Sequence, residues 1–149
     1  MKKGKDALKE TEPVTDRKIL RQVSRETKAE EIESLRLIKR LREANSNAWC
    51  DGAGLAAIQI GVPLRFAWYK FKDKEGTLMN PVILQRYGLI KEKEGCLSIP
   101  NKYTEVERAY EIDYLTNGKK KNAKGFLARL IQHEIDHMDG ILNDEKEAL

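Results

Sequence analysis

The chain has 149 residues, with 28 Lys and Arg against 24 Asp and Glu, for a net charge of +4. That length suits one domain, residues 1–149, with one core large enough to fold without disulfide or metal staples. The mild basic excess fits a protein that works near nucleic acid and an ordinary soluble protein equally well, so it specifies no nucleic-acid partner. The opening MKKGKDALKE has positive charge with no apolar stretch behind it, and no apolar run approaches membrane-spanning length. A soluble, unsecreted, cytoplasmic protein with no membrane partner is expected.

Residues 1–27 are charged and carry Pro13 without a clear period, so they are expected to run over the surface, with 1–15 a mobile N-terminal segment. A helix is expected from Ala29 to Ala44, because Ile32, Leu35, Ile38 and Leu41 form an apolar stripe. Cys50, beside Trp49, is expected to be buried. The glycine-punctuated GAGLAAIQIGVP (52–63) follows, and then LRFAWYKF (64–71) and TLMNPVIL (77–84) read as strands from their aromatic and β-branched content. TEVERAYEIDY (104–114) alternates, with Val106, Tyr110, Ile112 and Tyr114 on one face and Glu105, Glu107, Glu111 and Asp113 on the other. Arg108 falls on the apolar face and needs a carboxylate partner there, with Asp136 and Glu94 as candidates. NGKKKNAKG (117–125) is a turn with a lysine cluster. Asn122 is expected to cap a closing helix through AKGFLARLIQHEIDHM, which Gly140 stops. A strand-rich middle between two helices predicts a small α+β domain.

The closing helix carries both histidines of the protein, in the HExxH frame His133, Glu134, His137. Histidines at i and i+4 share one helix face and can reach one cation, and the intervening glutamate can reach a water beside it. Hydrolytic sites of this type take three protein ligands and leave one position open. The long protease pattern HExxHxxGxxH is followed to Gly140, but Asn143 stands where the third histidine would be, and only 12 residues follow His137. The third ligand is therefore expected upstream. Cys96 in EGCLSIP, 37 residues before His133, leads, because a thiolate is a strong donor to a divalent transition metal. Phe126 and Leu130 share the face of the two histidines and are candidates for the wall of a substrate pocket. Arg129, between them, could line that pocket with its stem and hold its charge at the rim.

GAGLAAIQ (52–59), EGCLS (94–98) and QHEIDH (132–137), in that order, resemble the three motifs of the peptide deformylases, with weaker matches at MNP (79–81) and ERA (107–109). The resemblance runs from about Asp16 to about Leu142. It implies a small α+β domain around the HExxH helix and an enzyme that takes the formyl group from the formylmethionine of newly made polypeptides, releasing formate. It implies metal ligands Cys96, His133 and His137, with Fe2+ as the occupant and Zn2+ or Ni2+ as alternatives. Glu134 would accept and return a proton, and the Gln59 amide and Leu97 N–H would stabilise an oxyanion. Backbone at Gly54 and Gly95 would hold the peptide extended. A monomer in the bacterial cytoplasm is expected, similar in outline to short phage-encoded members. Transient ribosome contact would then fall to Lys119–Lys121 with Lys124, or to the N-terminal lysines. The competing readings are a protease for ordinary peptide bonds and a non-catalytic binding module.

Overall fold

The computed structural model describes residues 12–50 and 52–146. The N-terminal lysines and most of the segment 1–15 expected to be mobile lie outside the described residues. Two three-stranded antiparallel sheets flank one long helix. The first has the order β1 (Gly54–Ala56), β2 (Phe66–Phe71), β3 (Lys74–Met79), and the second has the order β4 (Val82–Cys96), β5 (Ile99–Thr116), β6 (Lys119–Lys124). Helices α1 (Arg17–Leu20), α2 (Ala29–Ser34) and α3 (Leu37–Ser46) precede them, and α4 (Gly125–Met138) and α5 (Asn143–Lys146) close the described chain. Among the described residues no helix is long and apolar enough to cross a membrane.

Helix α4 carries the HExxH frame and packs between the sheets. Ala128, Ile131, Ile135 and Met138 from α4 meet Ala56 and Ala67 of the first sheet and Ile112 and Tyr114 of the second. A second cluster joins Leu37, Leu41 and Ala44 of α3 to Leu55, Phe66, Trp68 and Leu97. A third gathers Leu20, Cys96, Ile99 and Leu142.

The expected helix over 29–44 is broken. Arg36 takes a left-handed φ of +52°, and α3 begins after it. The break turns Leu37, Leu41 and Ala44 inward and leaves Leu35 and Ile38 partly exposed, so the stripe shifts off the expected register. A left-handed non-glycine residue costs ~1–2 kcal/mol. Burial of Leu37 returns roughly 1.5–3 kcal/mol.

TLMNPVIL is likewise two strands, because the chain crosses between sheets at Asn80. That residue adopts φ +48°, and its side chain both donates to and accepts from the Thr27 main chain at 2.9 Å. Residues 12–27 do not simply run over the surface. The Val14 N–H donates to Gln59 O at 2.7 Å, Val14 packs on the third cluster, and Leu20, Ser24 and Thr27 are buried. Burial of Leu20 anchors this stretch.

In β5 the alternation fails at Tyr110, which is exposed, while Ala109 is buried. Gly88 in β4 sits beside Tyr110 with φ +66°. Strand β6 pairs only from Glu111 onward, and the Gln132 amide of α4 takes its place at Ala109. It accepts from the Ala109 N–H at 3.0 Å and donates to the Ala109 carbonyl at 2.9 Å. Asn122 is not a helix cap. It lies in β6 and donates to Glu111 and Asp113 at 2.9 Å, while Lys124 precedes the helix and Gly125 makes the turn with φ +62°.

Gly140 ends α4 as expected, with φ +77°. The Met138 carbonyl before it accepts from the Ser24 N–H at 2.8 Å and from Arg65 Nη1 at 3.1 Å, so this helix end docks on two other segments. A Cβ on Gly140 would lie 2.4 Å from the Arg21 carbonyl oxygen, against main chain that cannot swing away. Gly140→Ala is expected to destabilise the protein by roughly 2 kcal/mol or more, counting both the left-handed backbone and the clash. A urea unfolding midpoint equal to wild type would contradict this placement.

Candidate metal centre

One turn of α4 separates His133 from His137, and their Nε2 atoms lie 3.2 Å apart. Cys96 ends β4, buried, with Sγ 3.3 Å from His137 Nε2. The ligand atoms of the three residues all fall within 4.8 Å of one another. One thiol and two imidazoles, converging in the interior, form the donor set that divalent transition metals take.

Electrostatics favour a cation at that point. Burial opposes a charged His133, yet its hydrogen bonds with Cys96 and Glu94 outweigh burial and raise its pKa well above the ordinary value. His137 is pushed the other way, by burial first and then by His133, and stays neutral. The two imidazoles thus differ in their hold on a proton, and a metal bound by all three donors would displace that proton. His137 Nδ1 and Glu134 Oε1 are buried without a partner among the described residues. The residues present fit a metal ion.

Glu94 orients the first histidine. Its Oε2 accepts from His133 Nδ1 at 2.6 Å, which fixes the ring with Nε2 turned toward Cys96 and would keep the proton on Nδ1 when Nε2 gives its own up to a metal. Arg108 grips the same carboxylate in a fork, Nε to Oε1 at 2.8 Å and Nη2 to Oε2 at 2.7 Å, and spends Nη1 on Asp136 at 2.8 Å. Both candidate partners of Arg108 are thus engaged. Burial would raise the Glu94 pKa, but bonds from Arg108 and His133 prevail and hold the carboxyl well below its usual range.

Sequence reasoning missed three of these contacts. The bond from Glu94 to His133 is one, although Glu94 stood inside the EGCLS motif. Asn143, at the position of the absent third histidine, is another: its Nδ2 donates to the Glu94 carbonyl at 3.2 Å and supports the same residue from behind. Arg129 is the third. Its guanidinium is buried rather than at the rim, donating to Glu94 Oε1 at 2.8 Å and to the Val106 and Ile90 carbonyls at 3.1 and 2.8 Å. Two carbonyls of the β4–β5 hairpin and the Glu94 carboxylate hold it inward.

Glu134 is 1% exposed. Burial raises its carboxyl to about 7, with His133 opposing. A Cβ at Gly54 would come within 3.3 Å of Glu134 Oε2 and 2.9 Å of the Trp68 carbonyl, so only glycine fits there. Gln59 is buried in a 3-10 turn (Ala57–Ile60). Its Oε1 accepts from the Ala56 N–H at 3.0 Å, which leaves Nε2 to donate to Ser98 Oγ at 3.0 Å and to point at Cys96 Sγ, 3.8 Å away.

A pocket opens beside these groups. Gly54, Gly95, Leu97, Leu130 and Phe126 line it together with Cys96, His133 and Glu134. Leu130 is buried, whereas Phe126 is 55% exposed and stacks on Phe71 at 5.9 Å, at the mouth. Cys50, expected to be buried, is half-buried: one side packs on the cluster around Leu41, and the other faces the pocket. Gly54 lies on β1 and Gly95 on β4, each an edge strand of its sheet. Both Arg17 and Arg21 pair with Glu145 in the closing segment.

The family model for polypeptide deformylase matches residues 13–146. The chain is 41% identical over 143 residues to a peptide deformylase of Pelagibacter ubique, covering 89% of this chain and 80% of that one. It is 39% identical over 124 residues to a peptide deformylase of Dictyoglomus thermophilum, covering 78% and 81%. The crystal structure of a probable peptide deformylase from synechococcus phage S-SSM7 superposes with a TM-score of 0.78 at 33% identity, covering 91% of this chain and 97% of that one. The chain belongs to the polypeptide deformylase family, metal-dependent hydrolases that remove the N-formyl group from nascent polypeptides.

Proposed function

We propose that Cys96, His133 and His137 hold the catalytic metal of this deformylase and that Glu134, Gln59 and the Leu97 main chain carry the reaction around it. The observation that bears most weight is the convergence of the three donor atoms within 4.8 Å, with buried Glu134 next in sequence to one of them. A divalent ion so held supplies a Lewis acid and lowers the pKa of a water in its open position. Fe2+ is the native occupant in this reading, with Zn2+ and Ni2+ as alternatives, and the soft thiolate with two imidazoles suits all three.

The chain's own groups account for the rest. At about 7, the Glu134 carboxyl is matched to neutral pH: one oxygen takes the proton of the attacking water and later gives it to the departing amine nitrogen. Gln59 Nε2, its direction fixed by the bond from Ala56, donates to the oxyanion that develops on the formyl oxygen, and the Leu97 N–H donates beside it. The peptide lies extended between the open edges of β1 and β4, bonded to backbone at Gly54 and Gly95 as an added strand. Leu130 and Phe126 bound the space for its first side chain. With its guanidinium tied to Glu94, Arg129 offers that space only its stem.

In this reading the protein acts as a monomer in the bacterial cytoplasm and touches the ribosome transiently. The exposed lysines of β6 support that contact by charge.

Formate release from a formyl-methionyl tripeptide, with protein purified without oxygen and loaded separately with Fe(II), Ni(II) or Zn(II), tests the chemistry. Turnover is expected in each form, ranked by metal, and Glu134→Ala is expected to lose ~10²–10⁴-fold or more while staying folded and metallated. Cys96→Ser is expected to lose bound metal on dialysis. Folded, metallated protein that releases no formate with any metal would sink the reading, as would a Cys96→Ser protein that keeps its metal at full occupancy.

A further inference from the structure

The Glu94 carboxylate serves five donors: Arg108 Nε and Arg129 Nη1 on Oε1, and Arg108 Nη2, His133 Nδ1 and, at 3.5 Å, Asn143 Nδ2 on Oε2. Arg108 alone is enough to fix its position. Two parallel bonds from one guanidinium leave little freedom, Asp136 holds that guanidinium in turn, and Asn143 holds the Glu94 main chain. Arg129 adds a charge rather than a missing constraint. The groups behind His133 are then two carboxylates, Glu94 and Asp136, against two buried guanidiniums, Arg108 and Arg129, with the partly exposed Lys146 ammonium 3.6 Å from Asp136. Glu92, 3.5 Å from Arg129 Nε, has a side chain 56% exposed and is largely screened by solvent.

We propose that Arg129 is a positioning residue that acts on the metal through Glu94: by sharing the carboxylate with the His133 N–H, it balances the charge behind that ligand and limits how strongly His133 donates to the ion. Without Arg129 the Glu94 carboxylate keeps Arg108 as its only guanidinium partner among the described residues, and Lys146 answers Asp136 rather than Glu94. Glu94 then draws harder on the His133 N–H, the imidazole becomes the better donor, and the ion is held more tightly but acts as a weaker Lewis acid. The proposal rests on the metal ligands assigned above.

Arg129→Met keeps the length of the stem along the pocket and removes the charge. It is expected to bind Zn(II) and Co(II) more tightly, by on the order of tenfold, in competition with a chelating dye, as residues behind a ligand commonly shift affinity on that scale. The visible bands of the Co(II) form should shift while the thiolate charge-transfer band stays, and kcat should fall with KM little changed. A brace without an electrical role predicts the reverse, weaker metal binding alongside a lower unfolding midpoint. Affinity equal to or weaker than wild type overturns the proposal. Arg129→Lys and Arg129→Gln serve if the Met variant does not fold. Both forgo the paired main-chain bonds, but only Gln forgoes the charge, so Gln alone should tighten the metal, and equal affinities overturn the proposal. A wild-type chain that binds no metal would remove the metal-centre assignment itself, whereas a metallated wild type matched by Arg129→Met removes only this inference.

Discussion

A carboxylate inside a protein is stable only if its charge is answered, and the architecture around Glu94 follows from that demand. Arg108 comes from β5, Arg129 and His133 from α4, and Asn143 from the start of α5, so one residue on β4 ties four elements together. Such buried pairs add little net stability over an apolar filling, but removing one partner commonly costs about 3–5 kcal/mol because the other charge is stranded. The network therefore dictates how the β4–β5 hairpin sits on the helix more than it strengthens the fold. That arrangement also aims His133 at Cys96, two residues along the same strand from Glu94.

The centre lies where the two sheets meet across α4. Cys96 arrives from the end of the long hairpin and the histidines from the helix, and Gln59 comes from the turn that follows β1. Glycine makes the approach possible at Gly54, where any larger residue would press on Glu134 and the Trp68 carbonyl. Because β1 and β4 are both edge strands, the pocket opens between two strand edges that no neighbouring strand covers among the described residues. An extended peptide is the ligand such a slot is shaped to take.

Much of this was legible in the chain. The i, i+4 spacing put both histidines on one helix face, the count of donors sent the search upstream to Cys96, and alternation located β5. Arg108 on an apolar face predicted a buried ion pair, and both of its candidate partners are engaged. What escaped depended on partners distant in sequence. The break at Arg36 follows from which leucine the first sheet buries, Leu37 rather than Leu35, which helical periodicity alone could not rank. Asn122 has good capping chemistry but found carboxylates across the strand, and Arg129 looked like a rim residue until the Ile90 and Val106 carbonyls drew it in. Asn143 stood in the frame of a missing ligand, and only the fold turned it toward the Glu94 carbonyl.

Glu94→Gln is nearly isosteric but removes the charge and turns one acceptor oxygen into a donor, so it tests whether that carboxylate organises both fold and site. Metal affinity and the urea unfolding midpoint should be measured on the same preparation. The network described here predicts that both fall, affinity by ~10- to 100-fold and stability by about 3 kcal/mol as Arg108 and Arg129 lose their shared partner. Wild-type affinity together with a wild-type midpoint would contradict it.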